Sequence, residues 1–328
     1  MADNQGVLVF AEVSEGQILG VAKEGVAVGR TLANAVGGTV TAILIGATEG
    51  LGTEIIAAGA DKVLTFQSTD LAAYQPDAYT QVMLQAIEKT SPKVIVLGQT
   101  DVGRDLAPKI AFKLQASLTM DIVDVSVDGD SLKATKPVYG GNARATYASS
   151  AAQHVLAIRV KAFEAVEPDT SRSENIEALE ASVDDSAVKV RVTEVRKQKS
   201  EGVRLEDANV VIAGGRGFGG PEPFEQLQEL AEALNGAMGA SRAVCDAGWL
   251  PHSYQVGLTG KTVTPDLYIA FAISGASQHM AGCSGSKTIA AINKDSDANI
   301  FQEARYGLVG EWEEVLPAFT EMVRELKG

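Results

Sequence analysis

Short apolar runs recur along the first hundred residues at the spacing of a wound α/β sheet. GVLVFAEV (6–13), TVTAILIG (39–46), KVLTFQ (62–67) and KVIVLGQ (93–99) are β-branched and nearly all apolar, which is how strands covered on both faces read. Amphipathic patterns between them predict helices at about Val21–Ala35, Glu54–Ala60 and Ala78–Lys89, the last opening behind Pro76-Asp77. Strands alternating with helices imply right-handed crossovers and a parallel sheet. From Ser117 to Val160 the period changes. MDIVDVSVDGDSLKATKPVYGGNARATYASS carries period-two stretches and a turn at Asp128-Gly129-Asp130, and predicts an antiparallel extension. AVKVRVTEV (187–195) reads as an edge strand closing this first domain.

The polar KQKSEGVRLEDA after it is the best linker, giving domains at 1–197 and 209–328 joined through 198–208. A second βα alternation starts at NVVIAGG (209–215). It continues with a helix Pro223–Asn235, a strand near Arg242–Asp246, strands at 267–274 and 288–293, and a helix Glu311–Leu326. The expected class is therefore α/β, with two mainly parallel sheets flanked by helices, the first carrying an antiparallel extension.

The chemistry concentrates in LYIAFAISGASQHMAGCSGSKTIAAINKD (267–295): a buried strand, a Ser274-Gly275-Ala276 turn, a short helix opening with Gln278 and His279, and a second strand ending in Asn293-Lys294-Asp295. Small residues between a strand and a helix start leave backbone N–H groups pointing outward, ready for phosphate. Two such strand ends side by side predict a nucleotide across the carboxyl edge of a parallel sheet. Gly215-Arg216-Gly217-Phe218-Gly219-Gly220 matches G-x-G-x-x-G, and it reads equally as a glycine turn that lets the strand reverse. Arg242 either pairs with Asp246 or places a cation beside a ring or phosphate. Gln255 to Lys261 is either a surface turn or a loop bringing Thr259 and backbone N–H groups to a heteroaromatic edge. A lone histidine at a helix start is most often structural, but His279 follows Ser274, Gly275 and Gln278, which can donate or orient hydrogen bonds. It therefore reads as functional, with no triad-type partner and no metal-ligand spacing.

Composition narrows the classes. The 328 residues are 45% hydrophobic with 33 Gly, ordinary for a globular chain. A net charge of −14 opposes nucleic acid or anionic membrane as partner. Against that balance, Arg216, Arg242, Lys261, His279, Lys294 and Arg305 lie in the glycine-rich segments and suit an anionic ligand such as a diphosphate. Cys245 and Cys283 form no framework and read as small buried hydrophobes in a reducing cytoplasm. The acidic N-terminus does not read as a signal peptide, and no run reaches the roughly 20 apolar residues of a membrane span.

GGRGFGG, GASRAVCDAGW, QVGLTGKTVTPDLYIAFAISGASQHMAG and AINKDSDANIF, in that order, together with GQTDVGRDLAPKIAFKL (98–114), closely resemble the α subunit of electron transfer flavoprotein. The resemblance implies an FAD-dependent electron carrier, a heterodimer with the β subunit contacted by the first domain, and flavoprotein dehydrogenases as electron donors. It implies FAD contacts at Arg216, Ser241, Arg242, Val256, Gly257, Leu258, Thr259, Ser274, Gly275, Ala276, Ser277, Gln278, His279, Asn293, Arg305 and Tyr306. By the same resemblance Arg242 lies over the isoalloxazine, Thr259 meets its N5 side, His279 its O2 side, and the Ser274 turn and Asn293 serve the pyrophosphate and AMP half. Arg305 stands where many relatives carry an acid, and Ala272 and Ser277 replace a usual glycine and a bulky aliphatic. Three other readings compete: an NADH-using bifurcating complex, a non-redox nucleotide-binding module, and an NAD-dependent enzyme.

Overall fold

The computed structural model describes residues 5–141, 143–195 and 203–327. These form two compact units. One holds the described residues up to Pro137 and from Arg144, the other Val138–Ala143 and the described residues from 203 onward.

The first unit opens with β1 (Val7–Phe10), whose four residues are all buried. A two-residue ribbon, β2 (Val13–Ser14) and β3 (Gln17–Ile18), leads into α1 (Gly20–Val36). Then follow β4 (Val40–Gly46), α2 (Gly52–Ala57), β5 (Lys62–Gln67), α3 (Pro76–Thr90), β6 (Val94–Gly98) and α4 (Asp101–Leu114). Sequence patterning missed α4. Thr100 caps it by accepting from the Gly103 N–H at 3.0 Å, which satisfies one donor of the first turn.

The stretch predicted as an antiparallel extension divides its strands. β7 (Ser117–Ile122) and β11 (His154–Ile158) belong to the main sheet, while β8 (Asp124–Asp128), β9 (Ser131–Val138) and β10 (Ala143–Ser149) make a separate three-stranded sheet. β8 and β9 pair antiparallel around the expected turn. β11 is buried at every position, as an inner parallel strand must be.

One edge is β12 (Ile176–Ala178) and the other β7, the main sheet running β12-β5-β4-β1-β6-β11-β7. All its pairings are parallel. Residues 187–195 are therefore not the closing strand that was expected. The N–H groups of Lys189 and Val190 donate to the Asp77 carboxylate at 2.8 and 3.2 Å, so a side chain takes the place of a ladder. Of the expected linker, 198–202 lies outside the described residues, and Leu205 and Ala208 are already buried in the core of the second unit.

The second unit contains β13 (Val210–Gly214), α5 (Pro223–Ala233), β14 (Ala237–Ala240), α6 (Arg242–Asp246) and β15 (Leu267–Phe271). It ends with α7 (Ser277–Met280), β16 (Thr288–Asn293), α8 (Ile300–Glu303), β17 (Tyr306–Val309) and α9 (Trp312–Lys327). The strand expected near Arg242 is thus a helix, and the strand precedes it as AMGA. The parallel sheet runs β14-β13-β15-β16-β17, with apolar clusters on both faces.

Candidate functional site

In this order the chain turns one way from β13 to β14 and the other way to β15. The crevice at the carboxyl ends of β13 and β15 is therefore a topological switch point, where open α/β sheets take their ligands. The crevice stays open because the backbone packs closely beneath it. A Cβ on Gly215 would lie 2.0 Å from the Ala272 carbonyl oxygen, so only glycine lets these two strand ends approach. The 255–261 loop is tied to the same place: Val256 N–H donates to Ala240 O at 2.9 Å and Leu258 N–H to Gln278 O at 2.7 Å.

The resulting cavity measures 710 Å³, inside the roughly 300–1,000 Å³ of small-molecule sites. It gathers Arg216 and Gly217 after β13, and Ser241, Arg242, Ala243 and Asp246 of α6 and its cap. Gln255, Val256, Gly257, Leu258 and Thr259 form the loop wall; Ala272, Ile273, Ser274, Ala276, Gln278 and His279 follow β15; Asn293, Asp295 and Ala298 follow β16. Gly217, Ala243, Asp246, Gln255, Ala272, Ile273, Asp295 and Ala298 were not anticipated from the resemblance.

Four anticipated residues do not line it. Gly275 is buried beneath the turn at φ 79, where a Cβ would meet the Ile300 nitrogen at 2.3 Å. The Ser277 hydroxyl turns to the Gln278 side chain at 3.3 Å. Arg305 and Tyr306 lie at the far edge of the sheet. Register pairs Ala290 with Tyr306 and Asn293 with Val309, so at ~3.3 Å per residue they are about 10–13 Å along the strand from the cavity edge. Both are exposed, and the Arg305 guanidinium carbon lies 5.7 Å from the Tyr306 ring centroid.

Residues following β17 come to the carboxyl edge instead. Gly310, Glu311 and Trp312 border a small cavity of 40 Å³ together with Gly217, Ala272 and Asn293, all three of which also line the large one. Gly310 N–H donates to Asn293 O at 3.1 Å, and Trp312 packs on Phe218 with centroids 4.8 Å apart. The signal for them was available: residues after a parallel strand, not before it, reach the ligand edge.

The site's charge also differs from expectation. Lys261 pairs with Glu206, Lys294 approaches Glu311 at 3.7 Å, and Arg242 Nε bonds Asp246 Oδ2 at 3.1 Å. His279 is not a cation. Burial pushes its pKa down to about 4, with the Val256 backbone opposing more weakly. Its Nε2 is 2.9 Å from the hydroxyl of the fully buried Tyr268, and its Nδ1 is also buried. Among the described residues, Arg216 is the cavity-lining cation without an ion pair.

Beside the Asp246 and Asp295 carboxylates, the cavity offers several hydrogen-bond donors. Gln255 Nε2 donates to Thr259 Oγ1 at 3.0 Å, so the threonine proton is left for a ligand acceptor. Asn293 Nδ2 gives one proton to Ile273 O at 2.9 Å and keeps the second. Ser241 makes no side-chain capping bond. With Arg216 these groups suit a ligand rich in acceptor atoms and negative charge. The glycine turn itself is a 3₁₀ turn, Arg216–Phe218, and α5 starts only at Pro223. It therefore contributes a reversal and an arginine rather than a helix N-terminus.

The family model described as electron transfer flavoprotein domain matches residues 7–184, and that described as electron transfer flavoprotein FAD-binding domain matches 204–284. The chain is 44% identical to the electron transfer flavoprotein subunit alpha of Bacillus subtilis, covering 98% of each chain. It is 41% identical to the subunit of the same name from Megasphaera elsdenii, covering 100% of this chain and 99% of that one. To protein FixB of Clostridium saccharobutylicum it is 41% identical, covering 99% and 98%. Full-length similarity at this level, joined to a donor-lined crevice at the switch point of the second sheet, establishes that the chain belongs to the electron transfer flavoprotein family as an alpha-type, flavin-dependent electron carrier.

Proposed function

We propose that the flavin is FAD, that the chain works as a heterodimer with an electron transfer flavoprotein β subunit, and that flavoprotein dehydrogenases of the cytoplasm are its donors. The observation that carries the FAD reading is the donor set around one 710 Å³ crevice, continued past Asn293 toward Glu311 and Trp312. A dinucleotide needs both a ring end and a phosphate end, and this crevice has polar groups for each. Bound FAD supplies the redox chemistry; the protein holds, orients and shields it.

The ring end is assigned to Arg242, Thr259 and His279. Thr259 presents a hydroxyl proton whose oxygen is already fixed by Gln255. His279 is a neutral wall anchored by Tyr268. The phosphate end is assigned to Arg216, the Ser274–Gln278 turn and the spare Asn293 amide proton. The partner subunit and the donors follow from the family relationship. No helix among the described residues is long and apolar enough to cross a membrane.

The test is to co-express the chain with its β subunit, release the bound cofactor by denaturation, and identify it chromatographically. FAD bound to this chain, lost on Thr259→Val together with Arg216→Ala, is the expected result. Release of FMN, or a colourless complex retaining only an adenine nucleotide, would overturn the proposal. Reduction of the purified heterodimer by a flavoprotein dehydrogenase checks the donor class.

A further inference from the structure

We propose that Asp246 is a positioning residue of the flavin site, holding the Arg242 guanidinium in place and offsetting its charge beside the ring. The proposal rests on the flavin reading of the cavity. α6 is a five-residue helix, Arg242–Asp246, and its first and last residues stand four apart, on one face. Both line the cavity. The contact is made by Arg242 Nε, 3.1 Å from Asp246 Oδ2, which leaves the two terminal amino groups of the guanidinium for a ligand.

The side chains are 65% and 50% exposed, so in open solvent this pair adds little to folding. Two carboxylates line the cavity: Asp295 is engaged in its own turn, accepting from the Asp297 N–H at 3.0 Å, whereas Asp246 is directed at the arginine of the site. Its effect grows once a planar ring covers the pair, because excluding water lowers the local dielectric and makes each charge count more. Arg242 then faces the ring as one half of a neutral pair instead of as a lone cation. Reduction adds negative charge to the ring unless a proton follows, so Asp246 holds the potential below the value Arg242 alone would set.

Two separable effects follow. An oxygen acceptor at position 246 fixes where the guanidinium is, and the carboxylate charge fixes how strongly it acts. Asp246→Asn keeps an acceptor and loses the charge, Asp246→Ala loses both, and Asp246→Glu keeps both on a longer stem. In the purified heterodimer, spectroelectrochemical titration should show the Asp246→Asn midpoint raised, corresponding to about a tenfold change in the one-electron equilibrium, or about 59 mV. FAD dissociation should be near wild type for Asp246→Asn and several-fold faster for Asp246→Ala. Asp246→Glu should return the potential toward wild type, with circular dichroism unchanged in all three. Variants that hold FAD at the wild-type potential and off-rate would overturn the proposal alone. A wild-type heterodimer without flavin would overturn it together with the flavin reading.

Discussion

The two units carry the same kind of crevice and treat it in opposite ways. In the first sheet the order reverses at β1, with β4 on one side and β6 on the other, and the crevice outside those strand ends receives Glu12 and Thr100. The two are bonded to each other at 2.5 Å and Glu12 is buried. In the second sheet the first residues after β13 and β15 are Gly215 and Ala272, the second are Arg216 and Ile273, and a 710 Å³ cavity remains beside them. The same topology thus presents different chemistry at its two switch points, depending on the residues that follow the strands. In the first unit a carboxylate bonds a threonine across the strand ends; in the second a glycine lets the strand ends close up beneath an open cavity.

The comparison breaks most visibly at Gly215. A methyl group there must push against the Ala272 carbonyl oxygen, 2.0 Å from the added Cβ. Gly215→Ala should separate the ends of β13 and β15, cost about 3–5 kcal/mol of stability, and abolish FAD binding. Thermal melting and FAD titration of the heterodimer check both. Full affinity retained in a stable variant would mean that the flavin does not use this crevice.

A second test uses opposite pH slopes in the two units. Glu24, 7% exposed on α1, has its pKa raised by burial from 4.5 to about 7. The folded first unit therefore binds more protons than the unfolded chain between those values, and its stability falls as pH rises from about 4.5 to 7, by about 3 kcal/mol. His279 in the second unit is shifted down, from 6.5 to about 4. There the unfolded chain binds more protons, so stability rises over about pH 4 to 6.5 and is flat above. Urea unfolding of wild type and Glu24→Gln from pH 5 to 8 isolates the first effect, because only the wild type should lose stability to Glu24 as pH rises. A pH-independent difference between them would show that Glu24 does not titrate as described.

Glu12 sharpens the contrast with a smaller effect. Glu12→Ala removes the acceptor of the Thr100 hydroxyl in a buried setting, which should cost about 1–3 kcal/mol and lower the melting temperature. FAD affinity should not change, since the residues that line the 710 Å³ cavity all belong to the second unit. A variant with altered flavin affinity would show that the first unit takes part in the site.

How much of this was legible in the sequence depends on whether the signal is local. KVLTFQ and TIAAIN match β5 and β16 end to end, because a β-branched run between polar residues needs no distant information. AMGA has no such composition, so β14 was displaced onto the following helix. HVLAI follows a period-two stretch and was read with it, although its burial comes from neighbours far along the chain. At the site, the glycine turns and the Arg242–Asp246 spacing were readable from the residues. The neutral state of His279 was not, since it depends on Tyr268 and the walls around it. Arg305 was placed in the site by likeness of sequence context, and the strand it precedes carries it to the opposite edge.

Ala272 gives the finest test. It stands at φ 53 between β15 and the Ser274 turn and lines the cavity, in a conformation that costs an L-residue about 1–2 kcal/mol. Glycine would remove that strain, at roughly 0.4–1 kcal/mol for the extra freedom of the unfolded chain. It would also lose the Ala272 methyl, which packs where Gly217 passes. The difference favours glycine by about 0.5 kcal/mol, so Ala272→Gly should raise the melting temperature by roughly 1–3 °C. The same substitution lets the backbone above Gly215 relax, which bears on the crevice itself. If the alanine conformation holds the crevice in shape, FAD affinity should fall even as stability rises. If the strain is incidental, affinity and stability should rise together. A lower melting temperature would contradict both outcomes and show that the methyl contact outweighs the backbone strain, making Ala272 a packing residue of the site wall.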